Sequence, residues 1–251
     1  GLIVISIAYV IEITTFPLIL GGLSTEFALS ERSAHLLVSS YKLALVVSII
    51  VAGWIGDRLS REGVFATGTL IFAASSMGML IVSDSGTLLH LRIVQGIGAG
   101  LFSPMIPALL ASRRPAGALA ALGHWGMITG AAAAVYPFIA AYLTQSYSWQ
   151  LGWLIVPLFA VLALLGLPKK SDTDEIQDHS AVKQPNQPLG PKVWAILGYV
   201  FVNYGLTTWF IVALALVAGP TTYSLTTVGL ILFVLWTVFS ATNFFISKYG
   251  T

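Results

Sequence analysis

The chain has 251 residues, of which 57% are hydrophobic and only 9% are charged, and its mean hydropathy is +0.88. A soluble domain carries roughly one quarter charged residues, and a core of this size cannot hide so large an apolar excess, so a water-soluble fold is not expected. The net charge of +2 and the scattered basic residues give no reason to expect a nucleic-acid partner. Cysteine is absent, which excludes disulfides and thiolate metal sites.

Apolar stretches of helical length run through the whole chain. A helix needs about 20 apolar residues to cross the hydrocarbon, where only a helix satisfies its backbone polar groups internally. We predict an all-α, polytopic membrane protein with spans at residues 2–23, 35–55, 64–83, 87–111, 118–144, 149–167, 193–217 and 224–246.

The connection after the sixth span differs from the others. Residues 168–192 are rich in Lys, Asp, Gln, Asn and Pro, so we predict a flexible linker there. The prediction is thus a six-helix bundle in residues 1–167, a polar linker in 168–192 and two further spans in 193–251. Because the chain starts at Gly1 without a methionine and Thr251 directly follows a span, we expect it to be a fragment.

Basic residues fall almost entirely on one side of the predicted spans. The other side carries only Arg32, while Lys42 and Arg92 lie within helices. Since cytoplasmic loops carry the excess of Lys and Arg, we expect a multi-pass protein of the cell membrane with its N-terminus and linker in the cytoplasm. The residues on the basic side are Arg58, Arg61, Arg113, Arg114, Lys169, Lys170, Lys183, Lys192 and Lys248.

Glycines recur at four-residue spacing in two of the spans. Gly96 and Gly100 lie on the fourth, and Gly126 and Gly130 on the fifth. Small residues at this spacing let helix backbones approach closely in lipid. We therefore predict close helix contacts at both pairs.

The most specific motif is the loop between the second and third spans, residues 53–62, GWIGDRLSRE. It resembles the signature loop of the major facilitator superfamily, G-x-x-x-D-R-x-G-R-R/K. Gly53, Asp57, Arg58 and Arg61 match it, whereas Ser60 replaces the second glycine and Glu62 replaces a basic residue. The resemblance implies a gating loop that latches the two halves of a transporter in the outward-facing state.

Two further stretches resemble motifs of the same family. Residues 92–100, RIVQGIGAG, are similar to its helix-four motif, whose arginine is associated with proton coupling or the substrate cavity. Pro137, Ala140 and Ala141 resemble, with the glycines replaced, the helix-five motif G-P-x-x-G-G of the drug:proton antiporter branch. The resemblance covers the whole chain and implies two six-helix bundles, of which helices nine to twelve are missing here.

Charged side chains inside the spans are expensive and usually border a cavity or pair with one another. Burial and a nearby cation act in opposite senses on a carboxylate's protonation, so we predict that Glu12 takes up and releases a proton and that Arg92 takes part in this coupling. Lys42 and Arg92 are expected to supply positive charge for Glu12 or for an anionic group of the substrate. Two alternatives remain open: a structural ion pair of Glu12 with Lys42, and an Arg92 that snorkels to the outer headgroups. The predicted substrate-cavity residues are Tyr9, Phe16, Lys42, Gln95, Asn203 and Thr207.

Enzymatic chemistry finds no support in the sequence, which shows no metal-ligand cluster, P-loop or nucleophile elbow. We expect no cofactor and no metal. The predicted function is efflux of a small organic solute by secondary transport with alternating access, in exchange for protons. The alternatives are proton-coupled uptake of an organic anion and, more remotely, a receptor or scaffold with a transporter-like fold. We expect a monomer in the lipid bilayer whose partners are its substrate and protons.

Overall fold

The computed structural model describes residues 1–56, 58–114, 117–167, 190–191, 195, 198, 202, 206 and 225–249. Within these ranges the chain forms helices joined by short turns, which confirms the predicted all-α class. The helices are α1 (Leu2–Glu26), α2 (Glu31–Gly56), α3 (Arg61–Gly78), α4 (Ser85–Phe102), α5 (Met105–Arg113), α6 (Ala118–Ser146), α7 (Trp149–Trp153), α8 (Ile155–Leu165) and α9 (Leu225–Tyr249).

Four helical stretches in the described ranges are long and apolar enough to cross a membrane, judged by length and composition. They are Leu2–Glu26, Glu31–Gly56, Ser85–Arg113 and Ala118–Ser146, which correspond to the first, second, fourth and fifth predicted spans. The third predicted span is the 18-residue helix α3, and the sixth is the shorter stretch formed by α7 and α8. The predicted span 193–217 lies almost wholly outside the described residues, and the span 224–246 is helix α9. The count of eight spans therefore stays a prediction.

Two predicted spans are each interrupted near a proline. The span 87–111 divides into α4 and α5 at Ser103 and Pro104. Proline has no backbone N–H, and its ring crowds the carbonyl four residues earlier, here that of Gly100. The span 149–167 divides into α7 and α8 at Leu154, three residues before Pro157. The hydrophobic pattern continues through both breaks, which is why the sequence predicted single helices.

Helix α4 packs directly on α2 and α3 because glycines occupy its contact positions. A Cβ atom at Gly96 would clash with the backbone oxygen of Tyr41 in α2, and one at Gly100 would lie 2.5 Å from another backbone oxygen of that helix. A Cβ atom at Gly98 would lie 2.6 Å from a backbone nitrogen of α3. The predicted close contact at Gly96 and Gly100 is thus confirmed.

Helix α6 packs on α1 on one side and on α9 on another. At Gly130 a Cβ atom would lie 3.1 Å from the Cα atom of Ser240 in α9. The Ser240 hydroxyl also donates a hydrogen bond of 2.8 Å to the backbone oxygen of Met127. These contacts confirm close packing at Gly130, while Gly126 is buried in the same helix.

The start of α4 is fixed by a side-chain cap. Asp84 accepts a hydrogen bond of 2.9 Å from the backbone N–H of Thr87. Hydrogen bonds from the Thr87 side chain and backbone lower the pKa of Asp84 below its ordinary value. The lowered pKa means that this cap stabilises the helix at neutral pH and that its contribution is lost as the pH falls through the acidic range. It anchors α4 about two turns before Arg92.

The glycine contact between α2 and α4 predicts the effect of a single methyl group. Gly96→Ala should lower the free energy of unfolding by about 1–3 kcal/mol, because the added Cβ atom forces the two backbones apart. Gly21→Ala is the matched control, since a Cβ atom at Gly21 in α1 would meet nothing within 4 Å. The measurement is the thermal midpoint in detergent, followed by size-exclusion chromatography. Equal midpoints for the two variants would contradict the proposed tight contact.

Candidate functional site

Two charged side chains meet inside the helical bundle. Glu12 lies near the middle of α1 and Arg92 lies in α4, and their exposed fractions are 0% and 2%. The Arg92 Nη1 atom lies 2.7 Å from the Glu12 Oε1 atom, so the pair forms both an ion pair and a hydrogen bond. The two residues that the sequence singled out for coupling are therefore direct partners.

The Arg92 guanidinium has further polar partners. Its Nε atom donates to the backbone oxygen of Leu37 at 3.4 Å, and its Nη1 atom also donates to the Gln95 Oε1 atom. Gln95 lies one helical turn after Arg92, so both side chains leave α4 on the same face. Gln95 is itself fully buried. The Nη1 atom is thus shared between a charged and a neutral acceptor.

Aromatic rings enclose the same guanidinium. The Arg92 Cζ atom lies 3.6 Å from the centre of the Phe16 ring and 4.2 Å from the centre of the Tyr41 ring. Such cation–π contacts contribute about 2 kcal/mol or more where the cation is desolvated. Phe16 follows Glu12 by one turn of α1, and Tyr41 belongs to α2. Three helices therefore hold one cation.

A buried ion pair stabilises a helical bundle only after a large desolvation cost has been offset. Removing two charges from water costs several kcal/mol per ion, and a buried ion pair is often no more stable than well-packed apolar residues. Charges kept inside membrane helices accordingly mark functional sites more often than structural ones. The pair is the strongest functional candidate in the part of the chain that the structure describes.

Two polar atoms at the site have no hydrogen-bond partner among the described residues. They are the Glu12 Oε2 atom and the Tyr41 hydroxyl, and both are buried. The Tyr41 hydroxyl is near enough to the Glu12 carboxylate to interact with it electrostatically. Buried polar groups are normally paired. A proton, a water molecule or a polar substrate group could therefore bind at the Glu12 Oε2 atom or at the Tyr41 hydroxyl.

The structure contradicts both the headgroup position of Arg92 and the choice of Lys42 as the ion-pair partner of Glu12. Arg92 does not snorkel to the headgroups, because it is 2% exposed and reaches Glu12 in the bundle interior. The ion-pair partner of Glu12 in the described chain is Arg92 rather than Lys42. Lys42 is half-buried and near enough to interact electrostatically with both charges.

Apart from Lys42, described above, the predicted cavity residues divide into three groups. Phe16 and Gln95 contact Arg92 directly. Tyr9 is half-buried on the face of α1 near the site, and its ring packs edge-on against Phe102 with centroids 5.6 Å apart. Asn203 and Thr207 lie outside the described residues.

The residues of the predicted gating loop lie at the surface, except Asp57, which is outside the described residues. Arg58 is exposed and its Cζ atom lies 3.8 Å from the centre of the Trp54 ring. Arg61 is exposed at the start of α3. A Cβ atom at Gly53 would meet nothing within 4 Å, whereas one at Gly56 would lie 2.9 Å from the Met105 methyl group. Close approach to a neighbouring helix thus occurs at Gly56, a variable position of the motif, and not at Gly53.

The helix-five residues pack α6 against α7. Pro137, Ala140 and Ala141 are all buried. A Cβ atom at Gly152 would lie 3.1 Å from the Ala140 backbone oxygen, and the Tyr136 hydroxyl donates to the Gly152 backbone oxygen at 3.0 Å. The alanines that replace the family's glycines thus lie in a close helix contact.

Three residues of the site were not identified from the sequence: Tyr41, Ser76 and Trp153. The Gln95 Nε2 atom donates to the Ser76 hydroxyl at 2.7 Å, and the Trp153 Nε1 atom donates to the Ser76 backbone oxygen at 3.2 Å. An aromatic or a serine in an apolar helix is too common to single out. Their roles depend on contacts between distant helices.

A separate cavity of about 390 Å³ lies at the end of the bundle where α1 begins. Arg113, Arg114, His124 and Trp125 line part of it. None of its lining residues belongs to the Glu12 and Arg92 site, so this cavity and the charge pair are distinct features.

Known proteins are similar to this chain in sequence and in fold. The chain is 32% identical over 133 residues to the tetracenomycin C resistance and export protein of Streptomyces glaucescens, a match that covers 52% of this chain and 25% of that protein. It is 29% identical over 155 residues to the multidrug export protein EmrB of Escherichia coli K12, covering 60% of this chain and 29% of that protein. The chain thus matches only about a quarter of the length of either relative.

A solved structure shows the same helical arrangement. A mutant of the peptide transporter POT in complex with sulfate superposes with a TM-score of 0.56 at 18% identity, over 88% of this chain and 45% of that one. The model of the Major Facilitator Superfamily, a family of transporters rather than enzymes, matches residues 1–251. The chain, an all-α, multi-pass membrane protein, therefore belongs to the Major Facilitator Superfamily.

Proposed function

We propose that the protein is a secondary transporter that exports a small organic solute by alternating access, in exchange for protons. The observation that carries the proposal is the desolvated ion pair of Glu12 and Arg92, with the Glu12 Oε2 atom left unpaired among the described residues. Export is favoured over uptake because both relatives compared above are named as export proteins.

Protonation of Glu12 changes the forces in this site. The charged carboxylate attracts Arg92 strongly, since little solvent screens the pair. The protonated carboxyl loses that attraction, while Arg92 keeps the Gln95 and Leu37 oxygens as acceptors. Proton binding therefore loosens the link between α1 and α4 without releasing the guanidinium, which is the kind of change that a coupled conformational transition requires.

Access to the site requires a second conformation. In the present one, Glu12 and Arg92 are closed off from solvent. We propose that the other conformation exposes the pair together with Tyr9, Phe16, Lys42 and Gln95, and that Asn203 and Thr207 contribute from the second bundle. The gating loop, with Gly53, Asp57, Arg58 and Arg61, would then contact the second bundle in one conformation and separate from it in the other.

The charges at the site also favour a second candidate function. Arg92 and half-buried Lys42 give two positive charges against the one negative charge of Glu12. An excess of positive charge would bind an anionic group, as in proton-coupled uptake of an organic acid. A receptor or scaffold without transport is the third and least favoured function, because it would not need a protonatable ion pair in the bundle interior.

The coupling role of Glu12 predicts the behaviour of one variant. Glu12→Gln should reduce proton-driven flux in proteoliposomes to the level of protein-free liposomes, because the amide cannot change its charge. Exchange of labelled for unlabelled solute should persist, since it needs no net proton movement. The assay uses the protein expressed from its complete reading frame and a panel of cationic, neutral and anionic organic solutes.

The matched control for this variant is Glu31→Gln. The Glu31 side chain is 92% exposed at the start of α2, so its neutralisation should leave both activities unchanged. Proton-driven flux of normal size in Glu12→Gln would dismiss Glu12 as the coupling residue. Loss of both activities would instead reduce Glu12 to a structural partner of Arg92.

The direction of coupling predicts the sign of a pH change. If solute is added outside proteoliposomes that enclose a pH-sensitive dye, exchange for protons should make the lumen more alkaline. Acidification of the lumen would contradict antiport and establish the uptake symport. Absence of solute counterflow for every member of the panel would favour the receptor or scaffold.

A further inference from the structure

Arg92 belongs to a closed ring of five residues, each of which contacts the next. From Arg92 the contacts run to Gln95, from Gln95 to Ser76 at 2.7 Å and from Ser76 to Trp153 at 3.2 Å. The Trp153 ring then packs edge-on against Phe16 with centroids 5.9 Å apart, and Phe16 lies 3.6 Å from the Arg92 Cζ atom. The ring joins α1, α3, α4 and α7. Each of its five members is at most 2% exposed.

The chemistry of arginine fixes the orientation of the Gln95 amide. A guanidinium has only donors, so the amide must turn its oxygen towards Arg92 and its NH₂ group away. The NH₂ group then needs an acceptor in a site from which water is excluded. The Ser76 hydroxyl is the acceptor that the structure provides.

Both Glu12 and Gln95 accept from the same nitrogen, Arg92 Nη1. The charged Glu12 is the stronger acceptor, whereas Gln95 accepts equally well whatever the protonation state of Glu12. Gln95 is therefore the partner that retains the guanidinium once Glu12 is neutral.

We propose that Ser76 is a positioning residue for the coupling step, acting through Gln95. Its hydroxyl holds the Gln95 amide as a charge-independent second acceptor, so that Arg92 stays in place when Glu12 is protonated. This inference rests on the proposed role of Glu12 in proton coupling.

The other titratable groups that face the pair lie on α1 and α2. Tyr9 lies on α1 itself, and Tyr41 and Lys42 face the pair from α2. Tyr136 of α6 directs its hydroxyl to the Gly152 backbone oxygen instead. Replacing Ser76 leaves these groups unchanged and affects only Gln95, the neutral side-chain acceptor of Arg92.

The proposal predicts a shift in the pH midpoint of the Glu12-dependent flux. In Ser76→Ala the Gln95 amide loses its anchor, so Gln95 becomes a weaker acceptor for the second N–H of the Nη1 atom. The state with neutral Glu12 then leaves Arg92 with a poorer set of acceptors than in the wild type, which opposes protonation of Glu12. The midpoint should move to lower pH by roughly half to one pH unit, the size expected for one lost hydrogen bond.

The neighbouring serine offers a matched control. Ser75 is 3% exposed, and its hydroxyl donates to backbone oxygens of its own helix, those of Ile71 at 2.7 Å and Phe72 at 3.1 Å. Ser75→Ala should therefore leave the midpoint where it is. A positioning role also predicts that Ser76→Ala adds no further shift in a Gln95→Met background, because the two residues then act as one unit.

A third variant covers the case in which Ser76→Ala folds poorly. Ser76→Cys keeps a weaker acceptor at the same position and should give an intermediate shift. All fluxes are normalised to folded protein measured by size-exclusion chromatography.

The outcomes separate this inference from the proposed function. If Glu12→Gln abolishes proton-driven flux but Ser76→Ala leaves the midpoint unchanged or moves it no more than Ser75→Ala does, the positioning role of Ser76 is overturned and the coupling role of Glu12 stands. An additive shift in the Gln95→Met background would also overturn it. If Glu12→Gln retains its proton-driven flux, both proposals fail together.

Discussion

An ion pair formed away from water is the constraint on which the rest of this structure depends. Glu12 and Arg92 lie 2.7 Å apart, inside a bundle whose outer surface is largely apolar. The cost of desolvating two charges has to be offset by their mutual attraction, by hydrogen bonds and by aromatic contacts. The structure supplies all three around Arg92 and leaves one oxygen of Glu12 unpaired among the described residues. The two partners are thus held unequally: Arg92 is fixed by several helices, while Glu12 is the group that can change.

The fold provides this asymmetry through close helix packing. Gly96 and Gly98 bring the backbone of α4 against α2 and α3, which places Arg92 within reach of the Leu37 backbone oxygen and the Tyr41 ring. Ser76 and Trp153 extend the support to α3 and α7. A bulkier residue at either glycine would move the cation away from its partners, so the small residues of α4 serve the site as well as the packing.

Much of the fold and part of the site could be predicted from the sequence, for physical reasons. Helical spans follow from hydropathy, close contacts at Gly96 and Gly100 follow from small residues at four-residue spacing, and a buried charge such as Glu12 is conspicuous among apolar neighbours. The choice of Arg92 over Lys42 as its partner could not be derived, because it depends on how α1, α2 and α4 are rotated against one another. Likewise, Ser76 and Trp153 reach the site only through tertiary contacts, and the break at Pro104 is hidden by a continuous hydrophobic pattern.

The most direct test of the account is the protonation of Glu12 during solute binding. Infrared difference spectroscopy on the protein in lipid can detect the C=O band of a protonated carboxyl group as solute is added at fixed pH. If Glu12 couples transport to protons, solute displaces a proton, so this band should decrease on addition and be missing from the Glu12→Gln difference spectrum. A band that decreases equally in Glu12→Gln, or a wild-type carboxyl that stays in one protonation state while solute binds and is transported, would contradict it.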